Sequence, residues 1–151
     1  MNDLRMRTKP ERIVVPEDVE RLATAAVDVA FEVHSELGPG LLETAYETCF
    51  SYELQLRGIE HQRQLAVPLH YKDKVTEAGF RADIVIGGQL LIELKAVEEL
   101  APVHKAQVVT YLKLLRLPLG LLINFNEVLI KNGTHRVLNF PKKTALQYPG
   151  F

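Results

Sequence analysis

The sequence predicts an α/β domain, a central sheet flanked by helices, on three observations. An apolar stripe of helical period runs through residues 19 to 37. Strict two-residue alternation follows at 61 to 69 and again at 80 to 86. Short runs at 90 to 92 and 119 to 125 are apolar at successive positions, as strands covered on both faces must be.

Each element has its own signal. After a polar arm, Pro16-Glu17-Asp18 opens the first helix, because proline suits a first-turn position and carboxylates favour the positive end of the helix dipole. Val19, Leu22, Ala23, Ala26, Val27, Ala30, Val33, His34 and Leu37 then form one face. Gly38-Pro39-Gly40 ends that helix, since Pro39 has no backbone donor and the glycines permit positive φ. A second helix follows with Leu42, Ala45, Tyr46, Cys49 and Phe50 on one side and Gly58 as its left-handed cap.

His61, Arg63, Leu65, Val67 and Leu69 alternate as a strand, and Tyr71-Lys72-Asp73-Lys74 reads as the turn of a long hairpin returning through Phe80, Ala82, Ile84 and Ile86. Gly87-Gly88 separates this strand from a third, 89 to 96, whose Leu90, Leu91 and Ile92 suggest a central position. Pro102 begins a helix to about 115, with Val108, Val109, Leu112 and Leu115 facing the core. A buried strand follows, and Asn132-Gly133 between Val128-Leu129-Ile130 and Val137-Leu138 predicts a closing hairpin.

The length of 151 residues suits one domain with a core of its own, read as 19–151 behind an arm of residues 1–18. The single cysteine, Cys49, can form neither an internal disulfide nor a zinc cluster, so a reducing cytoplasm is expected. No apolar run approaches the roughly 20 residues that span a bilayer, and the charged start lacks a secretory core, so no membrane association is expected. A net charge of −1 excludes a polycation that holds nucleic acid by bulk attraction. Any phosphate binding falls to local groups such as Arg5, Arg7, Lys9 and Arg12, or Lys131, His135, Arg136, Lys142 and Lys143, which taken alone read as solvated surface charge.

Two features carry chemistry. Asp83 lies inside an otherwise apolar strand, where an unpaired carboxylate is costly. Glu93-Leu94-Lys95 puts a carboxylate and an ammonium on one face of the next strand. These groups could form a buried ion pair that merely neutralises charge, or converge to grip a divalent cation beside a water; buried pairs add little stability for their desolvation, which favours the second. Register decides whether they meet. A two-residue turn at Gly87-Gly88 sends Asp83 and Glu93 to opposite faces, whereas a three-residue loop, Gly87-Gly88-Gln89, pairs Ile86 with Leu90 and sets Asp83 opposite Glu93. On the following helix His104, Gln107 and Tyr111 share a face distinct from the Val108 and Leu112 side.

Asp83, Glu93-Leu94-Lys95, Gln107 and Tyr111 together resemble the PD-(D/E)XK nuclease pattern, in particular its RecB-like branch, although Ala82 stands where the superfamily's name has proline. Gly40-Leu41-Leu42-Glu43-Thr44-Ala45-Tyr46 resembles the motif that names the GxxExxY family, small prokaryotic domains of that superfamily. The resemblance spans about residues 19 to 138 and implies a restriction-endonuclease-like core with a central mixed sheet. It also implies that Asp83 and Glu93 hold Mg²⁺ or Mn²⁺, with Glu43 as a further acidic ligand, directly or through water. Lys95 would serve the attacking water, and Gln107 and Tyr111 would line the site and contact substrate. His34 reads as a satisfied core histidine or a group positioning Glu43.

The function expected is metal-dependent hydrolysis of phosphodiester bonds in nucleic acid, DNA first; in a homodimer the second subunit could complete a basic groove. The rival is a catalytically silent nuclease fold serving as a binding or assembly module with a structural metal site.

Overall fold

The computed structural model describes residues 14–77 and 79–140. The basic residues Arg5, Arg7, Lys9, Arg12, Lys142 and Lys143 lie outside the described residues. Helices α1 (Glu17–Leu37) and α2 (Glu43–Leu56) precede strands β1 (His61–Ala66), β2 (Leu69–Tyr71), β3 (Lys74–Thr76), β4 (Arg81–Ile86) and β5 (Leu90–Lys95). Helix α3 (Pro102–Leu115), strand β6 (Leu119–Asn124), the single turn α4 (Ile130–Gly133) and strand β7 (Thr134–Leu138) complete the order.

The main sheet runs β1-β4-β5-β6-β7, and β2 pairs only with β3 in a separate two-stranded ribbon. Strand β5 is antiparallel to β4 but parallel to β6, and α3 makes the crossover that a parallel pair requires. The sheet is therefore mixed, as expected. Its two faces carry separate cores. Ile84, Ile86, Leu90, Ile92, Leu94, Leu121 and Ile123 pack with α1 and α2, while Val85, Leu91 and Leu122 pack with Val108, Tyr111 and Leu112 of α3.

Three expectations need correction. The alternating run from 61 to 69 is two strands: β1 joins the main sheet and β2 leaves it for the ribbon. Leu42, expected on the buried side of the second helix, is its exposed N-cap residue. The closing hairpin does not form, because residues 130 to 133 make a helical turn and β7 pairs with β6 instead. A two-residue hairpin with Asn-Gly needs positive φ at both positions, and neither Asn132 nor Gly133 has it. Gly133 serves close packing, since a Cβ there would overlap the backbone carbonyl oxygen of Asn124.

The loop between α1 and α2 is held by one side chain. The Tyr46 hydroxyl donates to the Gly38 carbonyl at 2.6 Å and accepts the Leu41 N–H at 3.1 Å, and its ring stacks on Phe125 at 4.6 Å between centroids. Gly40 supplies the positive φ, 98°, that the loop requires. Tyr46→Phe keeps the stack and removes both bonds, so urea denaturation should show a loss of about 1–3 kcal/mol. An unchanged midpoint would show that the hydroxyl does not hold the loop.

Candidate active site

Strands β4 and β5 keep a regular ladder through Ile86↔Leu90, Val85↔Leu91 and Ile84↔Ile92. This is the register of the three-residue loop, with Gly87 and Gly88 at φ 57° and 67°. One step further, Asp83 and Glu93 stand opposite each other and their side chains take over the pairing. The Asp83 N–H donates to Glu93 Oε1 at 3.1 Å, and the Leu94 N–H donates to Asp83 Oδ2 at 2.9 Å. Each acid thus accepts from the other strand. On the far side of β4 the β1 ladder also skips this level, where Gln64 adopts a positive φ of 50°. The sheet is irregular where the two acids meet.

Lys95 lies on the same face of β5 as Glu93, by the pleat that sends Leu90, Ile92 and Leu94 the other way. The chain just beyond it is fixed. Asn124, fully buried, accepts from the Val97 N–H at 3.1 Å and donates to the Val97 carbonyl at 2.9 Å, while the Phe125 N–H donates to the Lys95 carbonyl at 2.8 Å.

Both helical layers reach the acids. From one, Glu43 is the first residue of α2, and the charges of Lys95, Asp83 and Glu47 act on it. From the other, the charges of Glu93 and Asp83 act on Tyr111, whose hydroxyl accepts from Gln107 Nε2 at 3.3 Å. Gln107 is half-buried, but Tyr111, expected on a face apart from Val108 and Leu112, is buried with them in the α3-side core, because its ring fills the space against the sheet while only its hydroxyl meets Gln107. His104 caps its own helix by accepting the Ala101 N–H at 2.9 Å. His34 meets the Glu127 carbonyl at 2.7 Å and is a satisfied core histidine.

One group escaped the sequence reading. Glu47, buried and one helical turn beyond Glu43, accepts from Arg63 at 3.1 Å and from Gln64, and its charge acts on Asp83. The signal was the four-residue spacing of two glutamates on one helix face.

Burial raises Glu93, Asp83 and Glu43 above their ordinary carboxyl values. Glu93 is pushed up to about 9 by burial first and the Asp83 charge second. Asp83 is raised by burial, against the Leu94 N–H that favours its charged form. Glu43 is raised by burial, with Lys95 opposing and Asp83 and Glu47 adding to it. The negative groups outnumber the lysine.

The donor set fits a hard divalent cation. It consists of carboxylate oxygens, and a cation would relieve the repulsion that now favours a proton on Glu93. Among the described residues no three acidic, histidine or cysteine side chains are gathered into a ready-made cage. Asp83 and Glu93 are the two oxygen donors already opposed.

A family model of the PD-(D/E)XK nuclease superfamily matches residues 20–137. The chain belongs to the PD-(D/E)XK nuclease superfamily. Neither the curated proteins nor the solved structures contain a match.

Between the unfolded carboxyl range near 4.5 and the raised folded value near 9, the folded metal-free chain binds one more proton at Glu93 than the unfolded chain does. Stability should therefore fall as pH rises from about 5 to 9, by at most about 1.4 kcal/mol per pH unit. Chemical denaturation of chelator-treated protein should show this slope, and Glu93→Gln should flatten it. An identical slope in the variant would remove Glu93 as its source.

Proposed function

We propose that this protein is a divalent-cation-dependent nuclease that hydrolyses phosphodiester bonds in nucleic acid, with DNA as first substrate and Mg²⁺ or Mn²⁺ as the cation. The observation that carries the reading is the opposed pair of half-buried Asp83 and buried Glu93, with Lys95 on the same face of β5, within the superfamily's fold. The Gly40, Glu43 and Tyr46 spacing supports a place in the GxxExxY family, and Gln107 with Tyr111 supports one in the RecB-like branch.

Asp83 and Glu93 would hold the cation, with Glu43 as a further acidic ligand, directly or through water. When bound, a divalent ion supplies charge stabilisation at the phosphate and a lowered pKa for water. As an ammonium Lys95 would orient the attacking water and stabilise developing charge, and it would accept the water's proton only as the neutral amine, which a bound cation favours by offsetting the field of the acids. Gln107 and the Tyr111 hydroxyl bind and orient the substrate at the mouth. We place the enzyme in a reducing cytoplasm on the strength of its lone Cys49, with a homodimer supplying the basic track that a net charge of −1 denies one copy.

The rival reading, a silent module with a structural ion site, draws on the same bonds, because Asp83 and Glu93 also complete the pairing of their strands. Calorimetric Mn²⁺ binding and cleavage of plasmid and oligonucleotide substrates separate the two. Asp83→Asn should abolish both metal-dependent stabilisation and cleavage. Lys95→Ala should keep the ion and slow cleavage by about 10²- to 10⁴-fold, the cost of a lost proton-transfer group. Wild type that binds Mn²⁺ and cuts neither DNA nor RNA contradicts the enzyme; Lys95→Ala cutting at the wild-type rate contradicts the role of Lys95.

A further inference from the structure

The β2–β3 ribbon stands apart from the main sheet and turns large side chains to solvent. Tyr71 and Val75 are 65% and 61% exposed, and Phe80, where the chain returns, is 45% exposed. Two-stranded ribbons are marginally stable by themselves, and these large side chains do not fill the protein's own core.

Its base is fixed beside the acids. The Val67 N–H donates to the Phe80 carbonyl at 2.9 Å, and Val67 is buried in the α3-side core with Tyr111. The Phe80 ring lies 6.4 Å from the Tyr111 ring, and Tyr111 is the α3 side chain on which the charges of Asp83 and Glu93 act. Packed side chains therefore run from the acid pair through buried Tyr111 to the partly exposed Phe80. Three residues of extended chain then lead roughly 10 Å out to the turn. There the Lys72 ammonium sits 5.3 Å over the Tyr71 ring, at a positive φ of 52°. Lys74 and Arg81 add positive charge against Asp73 and Glu77, leaving cations in excess by one over residues 69 to 81.

Aromatic rings interleaved with cations suit one kind of partner. In a duplex the base faces are covered by their neighbours, so an exposed ring can stack only on a base that is unpaired. Base–aromatic stacking accepts any base, and nearby ammonium and guanidinium groups track the phosphates. We propose that the β2–β3 ribbon and Phe80 form a stacking platform for an unpaired nucleic-acid strand, so that the substrate is a single strand or the unpaired end of a duplex. Phe80 holds the base next to the acids and Tyr71 one farther out. This inference rests on the nuclease reading above and deepens it by naming the substrate class.

The test is fluorescence anisotropy on the full chain in chelator, where no cleavage occurs. The probes are labelled single-stranded DNA and RNA oligonucleotides and a blunt duplex of the same sequence. Wild type should bind a single strand more tightly than the duplex. Phe80→Ala and Tyr71→Ala should each weaken single-strand binding by about 5- to 100-fold, within the range of one lost stacking contact. Phe80→Trp should restore it. Tyr71 is mostly solvent-exposed, so Tyr71→Ala should melt at the wild-type temperature and remain informative even if Phe80→Ala unfolds. A wild type that prefers the duplex, or a Tyr71→Ala that binds single strands as tightly as wild type, overturns the platform while nuclease activity stands or falls on its own assay. A wild type that binds neither probe in chelator and cuts neither with Mn²⁺ overturns the nuclease reading, and the platform with it.

Discussion

Asp83 and Glu93 are carboxyls placed opposite each other inside a sheet, and each is held there by the backbone of the other's strand. That opposition depends on the length of one loop. Gly87 and Gly88 both occupy the left-handed region that glycine tolerates, and with Gln89 they return the chain in an odd register. One residue fewer would send the two acids to opposite faces and divide the site between two cores. Tolerating a buried acid directly opposite a half-buried one is a departure from what a core favours, and sites of chemistry are where such departures concentrate. Glu43 and Glu47 deepen the negative field, and only Lys95 opposes it on the same face of β5.

The arrangement also gives a physical meaning to the spacing of Gly40, Glu43 and Tyr46. Gly40 provides a backbone angle, and Tyr46 ties the loop to itself while stacking on Phe125 at the end of β6. Neither reaches the acids. Their effect is to set the first residue of α2, Glu43, at a fixed place beside Asp83 and Lys95. Asn124 does the equivalent for the other end of the site by clasping Val97, two residues after Lys95. The carboxyls are thus carried on regular elements whose ends are pinned by buried polar side chains, which is how a site keeps its geometry without a ligand.

Much of this was legible in the residues. The periodicity of α1, its stop at Gly38-Pro39-Gly40, the extent of α3 and the centrality of β5 all follow from local pattern, and the β4–β5 register followed from asking which loop lets two acids meet. What was hidden rests on contacts between distant segments. Alternation cannot show that 61 to 69 divides between two sheets, because β1 and β2 differ in partner and not in pattern. Asn132-Gly133 looked like a turn, yet the helical turn there and the fit of Gly133 against the Asn124 carbonyl are decided by tertiary packing. The proximity of Phe80 to Tyr111 likewise comes only with the fold.

The central claim is that the opposed acids are a cation site and not merely a pair of strand fasteners. A crystal structure of the protein soaked in Mn²⁺, with anomalous scattering to locate the ion, tests this most directly. The account predicts one ion between the carboxylates of Asp83 and Glu93, at the roughly 2.0–2.6 Å typical of oxygen ligands to hard divalent cations, with Glu43 beside it. An ion bound elsewhere, or none at saturating Mn²⁺ with the Asp83 and Glu93 bonds to the strand backbone unchanged, would contradict it.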